Sequence, residues 1–319
     1  MIGPAPQRGL HSAGRGDIAF DDLELSFEFF PPRSREAEAT FWQEVAALER
    51  LSPRFVSVTH GAGGSARSDT REIVIRLLRD TGLTPAAHMT CVDQTRRAIA
   101  EMARGYWDAG IRHIVALRGD AAPTEGCHAP RPDGLAYAAD LVRVLRETAD
   151  FEVSVAAYPE THPEALDAAR DMENLKRKID AGASRAITQF FFDPEVYLRF
   201  VDRVRAAGIA APIVPGIMPI LDFVQICRFA ARCNATVPAW LRALFDGLDG
   251  RPDTRKLLAA VAAVELCRQL YVRGVREFHF YTLNRAELTT AICRILRNPV
   301  LREAPAGNFL PFGAAHRAE

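Results

Sequence analysis

A single carboxylate, Glu28, stands among phenylalanines in the run Ser-Phe-Glu-Phe-Phe-Pro-Pro-Arg (26–33), and two prolines end that run at once. Desolvation by aromatic neighbours disfavours the charged form of a carboxylate, which is how a glutamate comes to donate a proton near neutral pH. Glu28 therefore reads in one of two ways. It is an acid placed for proton transfer, or a solvent-facing edge residue beside core phenylalanines.

Other residue types suited to chemistry recur further along. In Leu-Arg-Gly-Asp (117–120), Arg118 can neutralise a phosphate or carboxylate, Gly119 lets backbone approach a ligand, and Asp120 can accept from a ring N–H; a surface Arg–Asp pair is the alternative. Thr59-His60-Gly61-Ala62-Gly63-Gly64 resembles a phosphate-cradling loop but does not meet the GxGxxG fingerprint. His88, after two alanines, is a site residue or a buried histidine bonded to backbone. Tyr158 and His162 precede a helix carrying Asp171, Asn174, Arg177 and Lys178. Asp171, Asn174 and Lys178 share one face of it, and Lys176 and Lys178 are two of only three lysines in the chain; a solvated face is the bland reading. The amide of Gln189 offers a donor and an acceptor to a heterocycle. Arg285 falls in the first turn of a helix, where the dipole disfavours a cation, so an anionic partner is expected there.

These residues need elements to hold them. Ser34 to Leu51 places Phe41, Val45, Leu48 and Leu51 on one helix face. Phe55 to Thr59 is a β-branched and aromatic run suited to a strand buried on both faces. Helices then close at Thr81-Gly82, Ala109-Gly110, Ala181-Gly182, Ala207-Gly208 and Arg273-Gly274, each glycine expected as a left-handed cap before a strand. The strands expected are 85–90, 113–117, 152–157, 186–191, 212–217 and 277–281, which with 55–59 and the strand carrying Glu28 makes eight. Polar residues recur at their ends about every 30 residues, the spacing of βα units in a (β/α)8 TIM barrel. One longer gap holds the loop Ala121 to Gly134, and another holds extra helices at 222–232, 238–245 and 253–273 before the last strand. An α/β barrel as a single domain over 21–298 is expected, with a mobile tail at 1–20 and a C-terminal tail at 299–319; an open doubly wound sheet is the alternative. Chemistry belongs at the C-terminal strand ends.

Composition narrows the classes. Lys+Arg and Asp+Glu are 40 each, so no basic surface for nucleic acid is indicated. No apolar run reaches the roughly 20 residues of a membrane span, and no signal-peptide core opens the chain. Six scattered cysteines without a CxxC pair fit reduced cytoplasmic thiols, and no metal-ligand spacing is present.

Taken in order, the segments SFEFFPP, FVSVTHGAGG, HMTC, IRHIVALRGD, SVAAYPETHPEA, NLKRKIDAGASRAITQFFFD, PGIMP and FHFYTLNRAE resemble the methylenetetrahydrofolate reductase family from about Leu25 to Leu296. The resemblance implies a (β/α)8 barrel that holds flavin adenine dinucleotide (FAD) without a Rossmann fingerprint. It also implies reduction of 5,10-methylenetetrahydrofolate to 5-methyltetrahydrofolate by NADH or NADPH, with ping-pong kinetics, supplying methyl groups for methionine synthesis.

By position, Glu28 resembles the general acid that protonates folate N10, and Asp120 the carboxylate beside the flavin pyrimidine edge and the pterin. Gln189, Gln225, Phe229 and Arg285 resemble substrate contacts alongside Glu28. The flavin would lie against Thr59, His60, Ala62, His88, Arg118, Gly119, Asp120, Tyr137 and Tyr158. His162, Asp171, Asn174, Arg177 and Lys178 would reach its ribose, adenine or pyrophosphate. There are departures: His60 stands where some relatives have tyrosine, the 121–134 loop looks extended, and no second domain for adenosylmethionine-responsive regulation is expected. A homo-oligomer is expected, although periodicity does not mark its interface. Two other readings are a flavin- or folate-binding barrel without turnover and a metal-dependent barrel enzyme. Intact Glu28, Asp120 and Gln189 weigh against the first, and the missing ligand cluster against the second.

Overall fold

The computed structural model describes residues 23–60, 67–119 and 131–298. Ala62, Asp120, both expected tails and nearly all of the 121–134 loop lie outside the described residues. Strands and helices alternate from the start: β1 (Glu24–Phe29), α1 (Arg35–Glu49), β2 (Phe55–Val58), α2 (Arg67–Asp80), β3 (Pro85–Thr90), α3 (Arg96–Asp108), β4 (His113–Leu117), α4 (Ala138–Thr148), β5 (Glu152–Ala157), α5 (Ala168–Asp180), β6 (Arg185–Thr188) and α6 (Pro194–Ala206). Then come β7 (Ile213–Val214), β8 (Gly216–Ile217), α7 (Phe223–Cys233), α8 (Ala239–Phe245), α9 (Pro252–Val272), β9 (Glu277–Tyr281) and α10 (Ala286–Arg297).

All strand pairs are parallel, in the order β7-β6-β5-β4-β3-β2-β1-β9-β8. The two ends of that order are halves of one run interrupted at Pro215, so the sheet returns on itself as a TIM barrel. The single strand expected at 212–217 is thus split. Pro215 has no N–H for a ladder, and its carbonyl instead accepts from His279 N at 3.0 Å. Gly216 is required beside it: a Cβ there would lie 2.1 Å from Thr188 O and 2.6 Å from the Tyr281 ring.

The larger core lies between strands and helices. Leu25, Phe27 and Phe29 point outward from β1 and are fully buried, Phe29 meeting Phe41 of α1 edge-on at 5.5 Å. Each such ring contributes roughly 2 kcal/mol by its burial. The expected α1 face is present, with Phe41, Val45, Leu48 and Leu51 all buried, and Ser34 Oγ caps the helix by accepting from Ala37 N. A second, smaller core fills the barrel itself: Phe55, Ala86, Val115, Ile187 and Val214.

Four of the five expected glycine caps, Gly110, Gly182, Gly208 and Gly274, have positive φ. Gly82 does not. Thr81 Oγ1 closes that helix end by donating to Leu77 O at 2.6 Å, and Gly82 N donates to Glu49. The extra helices are present as expected, with Asp222 capping α7 through Gln225 N at 2.9 Å. Strand β6 ends at Thr188 rather than 191, leaving Phe190, Phe191 and Phe192 buried in the connection to α6. None of the described helices is long and apolar enough to cross a membrane.

Candidate active site at the C-terminal mouth of the barrel

Strand alternation decides which residues look into the barrel. On β1 the outward set is Leu25, Phe27 and Phe29, so Ser26 and Glu28 face inward. Parallel pairing sets Ser26 opposite His279 and Glu28 opposite Tyr281, and Glu28 opposite Ser57 on the other side. The Glu28 side chain is 14% exposed, and its Oε2 lies 3.4 Å from His88 Nε2 and 3.8 Å from His279 Nε2. Neither imidazole Nε2 has a hydrogen-bond partner among the described residues. Burial pulls the His88 pKa down to about 4, against the opposing pull of Glu28, so His88 is neutral at pH 7. The glutamate is therefore a largely buried carboxyl group beside a neutral His88, with no matched cation among the described residues. Such a group is costly to keep unless it is used.

Backbone contacts hold Glu28 in place. Thr282 donates to Glu28 O through its hydroxyl at 2.6 Å and its N–H at 3.3 Å. Asn284 brackets Phe30, accepting from Phe30 N at 2.8 Å and donating to Phe30 O at 2.9 Å. The ends of β1 and β9 are thereby pinned together. Tyr281 O–H donates to Thr188 O at 2.7 Å, and burial, ahead of the nearby Glu28, pushes its phenol well up.

The expected cofactor residues divide into groups. Thr59 and His60 follow β2, with Thr59 O accepting from Thr70 Oγ1 at 2.9 Å. Arg118 follows β4 and pairs with Glu164 at 2.5 Å. Gly119 has φ +89, and a Cβ there would sit 2.8 Å from Val92 and 2.9 Å from Thr90; only glycine fits, so backbone is what this turn offers a ligand. Tyr137 is 56% exposed at the start of α4.

Beside the C-terminal end of β5 lies a small open cleft lined by Tyr158, Thr161, Asp171, Lys178 and Arg203, among others. Tyr158 and His162 meet edge-on at 4.4 Å, and His162 N donates to Asp171 Oδ2 at 2.9 Å. Lys178 donates to Ala156 O at 2.5 Å, and burial of its ammonium pulls its pKa down to about 8. Asn174, half-buried, does not line this cleft. Arg177 points elsewhere and pairs with Glu173 at 2.5 Å.

The expected substrate contacts sit on separate elements of the same mouth. Gln189 follows β6 and is half-buried; its Oε1 accepts from Phe190 N at 3.1 Å. Gln225 and Phe229 share a face of α7, the first exposed and the second half-buried. Asn234, left-handed, ends that helix and donates to Thr161 O at 3.0 Å, tying α7 to the loop after β5. Arg285 is exposed and caps α10 rather than lying within its first turn. Sequence reading missed His279, Ser26 and Asn284. Alternation in Phe-His-Phe-Tyr (278–281), in step with Ser-Phe-Glu-Phe (26–29), was the available signal for the first two.

The methylenetetrahydrofolate reductase family model matches residues 16–297. The chain is 54% identical over 274 residues to the 5,10-methylenetetrahydrofolate reductase of Pectobacterium carotovorum and 53% identical to that of Escherichia coli K12, covering 86% of this chain and 90% of each relative. It is 31% identical to methylenetetrahydrofolate reductase (NADH) 1 of Zea mays, covering 96% of this chain and 52% of that protein. Among solved structures, a Clostridium thermocellum protein described as binding two copies of 5-methyl-5,6,7,8-tetrahydrofolic acid aligns with TM-score 0.55 at 11% identity, over 88% of this chain and 97% of that one, a likeness of fold. Matched from before β1 to the last helix, and sharing more than half its aligned residues with bacterial members, the chain belongs to the methylenetetrahydrofolate reductase family.

Proposed function

We propose that this protein reduces 5,10-methylenetetrahydrofolate to 5-methyltetrahydrofolate, with bound FAD and with NADH or NADPH as electron donor, by a ping-pong cycle. Family membership supports the folate reaction. The observation that carries the chemistry is Glu28, a carboxyl group at the barrel mouth without a matched cation, where a proton can be given to a bound ligand.

The residues present suit a dinucleotide flavin. Lys178 and Arg203 bring cations to an open cleft that also holds Tyr158 and Asp171, and the Gly119 turn, where Val92 and Thr90 leave no space for a Cβ, presents backbone rather than a side chain. Lys178, with Arg118 close to the same loop, would neutralise pyrophosphate, while Asp171 and His162 would bond ribose or adenine. FAD, when bound, supplies hydride transfer between nicotinamide and folate. Glu28 donates a proton to folate N10, which opens the five-membered ring and makes the methylene carbon electrophilic. Asp120, in its role proposed from the resemblance, stabilises positive charge developing on the pterin. Gln189 bonds the pterin, Phe229 stacks on whichever substrate is present, with Gln225 beside it, and Arg285 faces the glutamate carboxylate.

The test is anaerobic and spectroscopic. Purified protein is expected to be yellow, to bleach with NADH or NADPH, and to recover its colour with methylenetetrahydrofolate while forming the 5-methyl product. Folded, colourless protein that takes up no added flavin would defeat the proposal.

A further inference from the structure

His279 is fully buried inside the barrel, stacked on Phe55 at 5.7 Å with 20° between planes. Its Nδ1 lies 2.8 Å from Ser26 Oγ, and its Nε2 faces Glu28 Oε2 at 3.8 Å. That last separation is too long for a hydrogen bond, but a side-chain rotation of Glu28 shortens it, as catalytic contacts commonly tighten when ligand binds. Ser26 Oγ has a second acceptor within reach, Phe278 O at 3.4 Å. The serine hydroxyl can therefore turn either way, and each way fixes a different imidazole tautomer.

When Ser26 donates to Nδ1, the ring proton is on Nε2 and is offered to a Glu28 carboxylate. When Ser26 donates to Phe278 O, Nδ1–H donates to Ser26 Oγ, and Nε2 is left as an acceptor for a Glu28 carboxylic acid. The two arrangements differ by one proton, given to the folate in one direction and recovered from solvent through Glu28 in the other. Each satisfies both ring nitrogens, whereas a fixed donor or a fixed acceptor would penalise one state of the acid. We propose that His279, oriented by Ser26, is a positioning residue for Glu28 that accommodates its carboxyl group in both protonation states. This rests on the folate-reductase reading above.

Other groups bear on the same carboxyl and must be held constant: His88 on β3, Tyr281 on β9, His60 beyond β2 through its effect on His88, and His113 on β4 beside His279. His279 differs from these in having its far nitrogen on a hydroxyl carried by β1 itself.

The two half-reactions separate this role from a structural one. His279→Phe keeps a ring on Phe55 but has no nitrogens, whereas His279→Gln disturbs the stacking but offers a donor and an acceptor. Stopped-flow of the flavin-loaded protein is expected to show His279→Phe slowing reoxidation by methylenetetrahydrofolate by about 10- to 100-fold, at least tenfold more than it slows reduction by NADH or NADPH. His279→Gln is expected to recover part of that loss, and both variants to shift the pH profile of the folate step. Ser26→Ala should show the same selective loss more weakly, with Ser26→Thr restoring it; this pair decides should His279→Phe fail to fold. Parallel loss of both half-reactions, an unmoved pH profile, or His279→Phe outperforming His279→Gln overturns the proposal. Wild-type protein that bleaches with nicotinamide but is not reoxidised by methylenetetrahydrofolate defeats the function proposal instead.

Discussion

The two ends of the barrel use the same residue types to opposite effect. At the N-terminal floor, Arg54 pairs with Glu24 and lies 3.4 Å from Glu277 and 3.9 Å from Glu152. Arg185, 4% exposed, is 2.8 Å from Glu152 and 3.7 Å from Glu277. Each of these charges meets an opposite one. At the C-terminal mouth, Glu28 faces two imidazoles and no cation matched to it among the described residues, and His88 is neutral at pH 7. Phe55 lies between the two ends, with the Arg185 guanidinium 5.6 Å from its centroid and His279 stacked against it. Matched opposite charges mark the structural end, and a carboxyl group with no matched cation among the described residues marks the end with capacity left for a ligand.

The sharpest way to break this comparison is to neutralise Glu28. Glu28→Gln is nearly isosteric and removes a largely buried carboxyl group that has no matched cation among the described residues, so folding stability is expected to hold or rise slightly. The folate half-reaction is expected to fall by about 10²- to 10⁴-fold, the usual worth of a placed acid. Flavin reduction by the nicotinamide should change far less. Equal loss in both half-reactions, read by stopped-flow absorbance, would reject the acid role.

The floor should behave in the reverse way. Arg185→Met removes a buried guanidinium whose carboxylate partners Glu152 and Glu277 are partly solvated and is expected to cost about 1–2 kcal/mol. Denaturant unfolding measures it. The ratio of the two half-reaction rates should stay near the wild-type value, and a selective loss of folate reduction would blur the distinction between the ends.

Acid provides a third probe. Burial, the largest cause, holds His88 at about 4 and His113 at about 3, both below the usual 6.5. The unfolded chain therefore binds more protons than the folded one below pH 6.5, and stability falls as pH drops from there towards 4. His113, whose Nε2 meets Ser154 Oγ at 2.8 Å, has no place in the proposed chemistry. His113→Asn should flatten the pH dependence by about 3 kcal/mol at pH 4.5, as read from thermal melts at several pH values. An unchanged slope would mean that this histidine is not kept neutral by the fold.

Much of this was legible in the sequence because barrels repeat. Glycine-terminated helices and β-branched runs gave the strand count, and the strand count put Glu28 at the C-terminal mouth. What escaped is non-local. The break at Pro215 depends on Thr188 and Tyr281 crowding Gly216 from two other strands. Gly82 lost its expected left-handed turn because a threonine hydroxyl and Glu49 from another helix satisfied that end. His279 and Ser26 became a unit only through parallel pairing of strands about 250 residues apart. Periodicity assigns a residue to a face, but it does not report which side chain stands opposite.

The smallest expected effect concerns the clip between the strands that carry those partners. Leu283 and Asn284 both have positive φ, at 52° and 55°, which asparagine tolerates and leucine resists. The strain persists because the Asn284 amide bonds both backbone groups of Phe30, imitating a neighbouring strand. Phe30 is 40% exposed, so water takes over much of what the clip provides. Asn284→Ala is then expected to cost only about 1 kcal/mol. Asn284→Asp keeps the acceptor for Phe30 N and loses the donor to Phe30 O, so its cost should fall between alanine and wild type. Hydrogen exchange should report the loosening at the amides of Phe30 and Thr282 and leave β4 to β6 unchanged. Because Thr282 also holds Glu28 O, the folate half-reaction should slow a few-fold in step with that exchange. Exchange spreading to the floor would mean that the two ends of the barrel are not energetically separate.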